Sequence, residues 1–119
     1  WQPTDDGTVA NAIHWYKQTN RKGIVSFHGH WFSPPGGNLR TSTFYTNLTN
    51  FDVQKGVTEG TPEYTATIRD IDAIAVQLKR LQDEKIPIIW RPLHEAGGKW
   101  FWWGSKTSVE AIKLYNIMY

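Results

Sequence analysis

The chain has 119 residues, 39% of them hydrophobic, enough apolar material for one ordinary core. Its 13 basic and 11 acidic residues are spread along the sequence without a run of like charge, which argues against a nucleic-acid partner. No window of about 18 apolar residues exists, so a transmembrane helix is excluded, and the absence of cysteine removes disulfide and thiol chemistry. Seven Trp and five Tyr are more large rings than a small core usually hides while giving every indole N–H a partner, so some should line a binding surface. Both ends look cut: the chain opens on Trp1 without a signal peptide, and Leu114 to Tyr119 lie inside an apolar helical pattern with no stop signal. Residues 1–119 are therefore read as part of one larger domain.

Val9, Ala12, Ile13 and Tyr16 fall at helical spacing, with Gly23 as terminator. Ile24 to Phe27 is a short β-favouring run that gives way to a loop through His28, Gly29, His30, Trp31 and the Ser33–Gly37 stretch. Residues 38–60 are polar, rich in Thr and Asn, and too long for a tight connection. They are read as a site-lining loop or one holding a short element of its own. Thr61 and Pro62 supply an N-cap and a first-turn proline for a long amphipathic helix through Ile68, Ile71, Ile74, Ala75, Leu78 and Leu81. Ile86 to Trp90 is a nearly unbroken apolar strand of the kind covered on both faces in a parallel sheet. After a Gly- and Trp-rich loop, Thr107 and Glu110 make a capping box for a last helix through Ile112, Tyr115 and Met118.

Helix, strand, helix, strand, helix with these lengths implies α/β architecture and a right-handed parallel crossover. Two strands do not make a stable sheet covered on both faces. The chain therefore reads as a fragment of a (β/α)8 TIM barrel, roughly the units around strands 3 and 4, out of a fold that takes about 250 residues.

Two clusters follow the strands directly, where such barrels build catalysis: the segment from Phe27 to Pro34 and the segment from Trp90 to Gly104. Glu95 stands out in the second. A carboxyl beside apolar rings loses hydration, which favours the protonated form that a general acid needs, although a Glu there can also be a solvated loop carboxylate. His94 could bond a sugar hydroxyl or satisfy a backbone group as a buried histidine. The run Trp100, Phe101, Trp102, Trp103 could be core. On an extended segment, however, adjacent side chains point to opposite sides, so at least one ring should face outward. Rings beside a carboxyl suit a carbohydrate, whose C–H groups pack on aromatic faces. A rival reading takes His28 and His30 as an H-x-H metal pair, with His94 and Glu95 completing a zinc site, but H-x-H is a weak signal.

The segment Trp90 to Gly104, W-R-P-L-H-E-A-G-G-K-W-F-W-W-G, resembles the acid/base signature of glycoside hydrolase family 26, most of whose members are endo-β-1,4-mannanases. Gly23 to Pro35 resembles the family's strand ending in a Trp-His pair. Phe51 to Leu81 resembles its helix region, through Phe51-Asp52, Gly60-Thr61 and Asp70-Ile71-Asp72. The resemblance covers most of the chain from Gly23 onward. It implies that Glu95 is the general acid/base, that His94 helps hold the sugar at the point of cleavage, and that Trp100 lines the cleft. It also places His30 near the catalytic centre, although Gly29 stands where the family usually has Trp, and it counts Trp103 and Arg91 as further substrate-binding positions.

The implied reaction is retaining endo-cleavage of mannan, glucomannan or galactomannan, with no metal or organic cofactor. The nucleophile is a glutamate on a later strand outside this chain, so the chain alone should be inactive. A β-1,3-1,4-glucanase, a β-1,3-xylanase or a non-catalytic polysaccharide-binding fragment are the alternatives. The implied partner is a β-mannan or related wall polysaccharide met outside the cell by a monomeric secreted enzyme, with no nucleic acid and no membrane involved. Asn47-Leu48-Thr49 is a glycosylation sequon.

Overall fold

The computed structural model describes residues 5–34 and 43–119. Helix α1 (Thr8–Gln18) leads into strand β1 (Val25–His28), a short helix α2 (Val53–Gly56), the long helix α3 (Pro62–Asp83), strand β2 (Ile88–Arg91) and helix α4 (Ser108–Met118). The strands pair in parallel, with Val25 opposite Ile88, Ser26 opposite Ile89, Phe27 opposite Trp90 and His28 opposite Arg91. The expected element order and parallel sheet are present.

Local chemistry explains most boundaries. The Thr61 hydroxyl accepts from the Tyr64 N–H at 3.0 Å, ahead of Pro62 in the first turn of α3. At α4 the Thr107–Glu110 capping box is formed in both directions. Two boundaries differ from the sequence reading by more than one residue. Helix α1 stops at Gln18 rather than near Gly23, because Asn20 and Arg21 take left-handed backbone and the Arg21 N–H closes onto the Tyr16 carbonyl at 3.0 Å. Strand β2 starts at Ile88 rather than Ile86: the Ile86 N–H is used in closing α3 onto the Leu81 carbonyl at 3.1 Å, and Pro87 has no N–H to give a ladder.

One face of the sheet packs on helices. Phe27 joins Val9, Tyr16, Leu81 and Ile86 in a core between sheet, α1 and α3, with Val25, Ile88 and Trp90 against it. The opposite face carries Ser26, His28, Ile89 and Arg91, all exposed, so within this chain the sheet is covered on one side, not two. A second core lies beyond the strand ends and is built from Trp31, Val53, Phe101, Trp102, Trp103 and Leu114. Three buried indoles sit there, and each donates its N–H: Trp31 to Asp70 at 3.1 Å, Trp102 to the Trp31 carbonyl at 2.7 Å, and Trp103 to the His94 carbonyl at 2.9 Å.

Helix α3 serves both cores with a face more polar than its periodicity implied. Ile74 and Leu81 are buried as expected, whereas Ala75 is exposed and Thr67, Asp70 and Gln77 are buried. Asp70 is bound on its other oxygen by the Arg69 guanidinium at 2.7 and 3.1 Å. Asp70→Ala should therefore destabilise the protein by about 1–3 kcal/mol in urea unfolding, because it leaves the Trp31 N–H buried without an acceptor. Asp70→Asn, which keeps an acceptor oxygen, should lose clearly less; equal losses would contradict this account of the residue.

Candidate active site

The register of the sheet sets the site. His28 and Arg91 end their strands side by side, so the segments leaving β1 and β2 begin together. One carries His30 and Trp31, the other His94 and Glu95. The ring centroids of His28 and His30 each lie 5.0 Å from that of His94, edge to face. His30 also packs on Phe44 at 4.8 Å and Phe101 at 5.3 Å. Among the described residues, no group of three or more His, Asp or Glu side chains is arranged to hold a metal.

Partial burial holds both His30 and His94 below the ordinary histidine range. The neighbouring imidazoles add to that depression, and Glu95 acts in the opposite direction. Nδ1 of His94 is buried without a hydrogen-bond partner among the described residues. Nδ1 therefore satisfies no backbone group among the described residues. It is the backbone carbonyl of His94 that is tied, by the Trp103 indole N–H.

Glu95 sits at φ 57°, ψ 28°, immediately before a 3-10 turn at Ala96–Gly98. Left-handed backbone at a non-glycine residue costs on the order of 1–3 kcal/mol and persists only where its surroundings enforce it. The carboxylate is exposed and accepts from the Trp100 indole N–H at 3.0 Å. Flanking rings do not dehydrate it within this chain, because Phe101, Trp102 and Trp103 turn inward and Trp100 remains half exposed beside it. The Trp100 ring lies so close to Gly98 that a Cβ there would fall 2.2 Å from it.

The polar loop reaches the site as expected, at least over its described part from Thr43. Its Thr46–Leu48 turn and α2 are the short elements it holds, while residues 35–42 lie outside the described part. Thr46 donates its N–H to the Trp100 carbonyl at 2.7 Å and its hydroxyl to the Lys99 carbonyl at 2.8 Å. Tyr45 bridges Phe101, and the Phe44 carbonyl accepts from the backbone N–H of Trp102 at 3.0 Å. Phe44 and Tyr45 are neighbours of the site that the sequence reading missed; their signal was an aromatic pair inside an otherwise polar stretch.

Of the remaining predicted positions, Arg91 is exposed on the uncovered sheet face beside His28. Trp103 is corrected: it is 0% exposed and stacked on Phe101 at 4.5 Å, and its indole N–H is spent on the chain itself. It supports the loop and offers no surface to a ligand. A cleft of about 590 Å³ lies between the turn after Glu95 and the start of α4, lined by Leu93, Ala96, Lys99, Ile112 and Tyr115 among others; neither Glu95, His94 nor Trp100 lines it.

The depressed histidines predict a pH response. In the unfolded chain they titrate near 6.5, above their folded values, so between the two the unfolded state binds more protons and stability falls as pH drops. Urea midpoints should decline from pH 7.5 to 5.5, and His94→Gln and His30→Gln should each flatten that decline. A slope unchanged in both variants would contradict this origin.

The family model described as Glycosyl hydrolase family 26 matches residues 3–119. A mannan endo-1,4-beta-mannosidase of Thermothelomyces thermophilus is 50% identical over 122 residues, covering 98% of this chain and 25% of that protein. A solved GH26-CBM35 beta-(1,4)-mannanase of Podospora anserina superposes with a TM-score of 0.85 at 43% identity, over 98% of this chain and 27% of its own. A solved beta-mannanase from a symbiotic protist of the termite Reticulitermes speratus, complexed with gluco-manno-oligosaccharide, superposes with a TM-score of 0.81 at 38% identity, over 94% of this chain and 34% of its own. The chain spans about a fifth to a quarter of the length of curated mannan endo-1,4-beta-mannosidases that it matches from end to end. With that model matched over nearly the whole chain and relatives this similar along its length, the chain belongs to glycosyl hydrolase family 26.

Proposed function

We propose that this chain supplies the acid/base part of the active site of a retaining endo-β-1,4-mannanase. The observation that carries the reading is Glu95, a carboxylate held in left-handed backbone just past the end of β2, with the Trp100 N–H on one of its oxygens and the histidine cluster beside it. In this role the protonated Glu95 gives its proton to the leaving glycosidic oxygen, and the carboxylate then takes a proton from the water that releases the sugar. His94, adjacent to Glu95 and only partly buried, is suited to hold a sugar hydroxyl, with His30 packed on its ring. Trp100 offers a ring face to the sugar. Arg91 lies at the rim.

Retention requires a second carboxylate about 5–5.5 Å away. Every other Asp and Glu among the described residues sits on a helix or at a helix flank, so the nucleophile belongs to residues outside this chain. The uncovered sheet face with Ile89, and the exposed Ile112 and Tyr115 of α4, suit burial against neighbouring units of a (β/α)8 barrel. The relatives named above are all mannanases, which favours mannan over β-1,3-1,4-glucan and β-1,3-xylan. The chemistry uses no cofactor, and a polymer of this kind is met outside the cell.

The test is to express the open reading frame that carries this chain, as wild type and as Glu95→Ala, and to assay reducing ends released from glucomannan, barley β-glucan and β-1,3-xylan. Wild type should cut the mannan polymer, and the variant should lose at least about 100-fold. On an activated aryl manno-oligoside, azide should restore turnover to the variant with formation of a β-mannosyl azide. Full activity in Glu95→Ala would reduce Glu95 to a loop carboxylate.

A further inference from the structure

We propose that Trp103 is a positioning residue for the acid/base work of Glu95, acting through the backbone carbonyl of His94; this rests on the function assigned to Glu95 above. Trp103 is fully buried, so it makes no contact with substrate itself. Its ring is clamped between Phe101, at 4.5 Å and nearly parallel, and Trp102, at 5.7 Å edge to face, with His94 at 5.5 Å. That packing fixes the direction of the indole N–H, which donates to the His94 carbonyl at 2.9 Å. This carbonyl belongs to the peptide that links His94 to Glu95, so the bond sets the plane from which Glu95 departs in its strained left-handed conformation.

The same turn grips the other side of Glu95. Gly104, next to Trp103, lies against the turn at Ala96–Gly98 so closely that a Cβ would fall 2.1 Å from the Ala96 carbonyl oxygen. Residues 94 and 96 are thus both held by the 103–104 segment, and the residue between them is the one with unfavourable backbone. Releasing the His94 carbonyl gives that peptide a route to relax, which moves the Glu95 carboxyl away from the leaving oxygen. Trp102 provides the comparison: it is equally buried, but its N–H goes to the Trp31 carbonyl, away from Glu95.

The experiment measures kcat/KM in the full open reading frame for a series of aryl β-manno-oligosides whose leaving groups range from activated phenols, which need no protonation, to poor ones, which do. Trp103→Phe, Trp102→Phe and Glu95→Ala are compared with wild type. Replacement of Trp103 by 3-benzothienylalanine, which keeps the ring shape and lacks the N–H, covers the case in which the Phe variant does not fold. The proposal expects Trp103→Phe or the benzothienyl analogue to lose on the order of 10–100-fold with poor leaving groups and to keep near-wild-type kcat/KM with activated ones, a weaker copy of Glu95→Ala. Trp102→Phe should show no such dependence. Loss that is even across leaving groups, or equal in the two tryptophan variants, overturns the positioning role. If Glu95→Ala itself shows no dependence on the leaving group, the assignment of Glu95 fails and the proposal falls with it.

Discussion

A buried indole must find an acceptor for its one N–H, and the region beyond the strand ends is organised around that requirement. Three tryptophans are buried in one cluster, and every acceptor they use lies on a different segment of chain: Asp70 on α3, the Trp31 carbonyl after β1, and the His94 carbonyl after β2. Apolar burial drives the cluster together, but it is direction-free. The hydrogen bonds give it direction, and because leaving a buried N–H unpaired costs about 1–3 kcal/mol, they tie the two strand-end loops and α3 into one arrangement. The functional loop is thus held from beneath by rings rather than by secondary structure.

That support is what allows Glu95 to occupy backbone that its side chain disfavours. Strain of this kind persists where the surroundings over-determine it, and here the neighbouring residues on both sides are fixed, His94 by an indole and Ala96 by close backbone contact with Gly104. From above, the Thr46 clamp on Lys99 and Trp100 holds the exposed ring that bonds the carboxylate. His30 and His94 complete the floor, where burial and the neighbouring imidazoles disfavour their charged forms.

Features of the fold that depend on neighbouring residues were legible in the sequence. The Thr61-Pro62 start and the Thr107–Glu110 box follow from short-range chemistry, and the parallel order of the two strands follows from the crossover that a helix between them imposes. So did the strand-end position of Glu95 and the outward ring at Trp100. What escaped the sequence depends on distant partners: the buried Asp70 is explained by Trp31, 39 residues away, which no helical periodicity can reveal. The expected outward ring is Trp100, but Trp102 and Trp103 are both buried because the chain leaves extended geometry there and enters a 3-10 turn at Trp102–Gly104, where side chains no longer alternate between two sides. The same bond that hides Trp103 from ligand gives it a place in the site.

The central claim is that Glu95 delivers the proton, and the pH dependence of kcat/KM on a mannan oligosaccharide tests it most directly. A general acid must be protonated to act, so wild-type activity falls on the alkaline side as that proton is lost. The account predicts that Glu95→Ala removes the alkaline limb and leaves a low rate that no longer declines there. An alkaline limb of unchanged shape and position in the variant would assign the proton to another group and contradict the account.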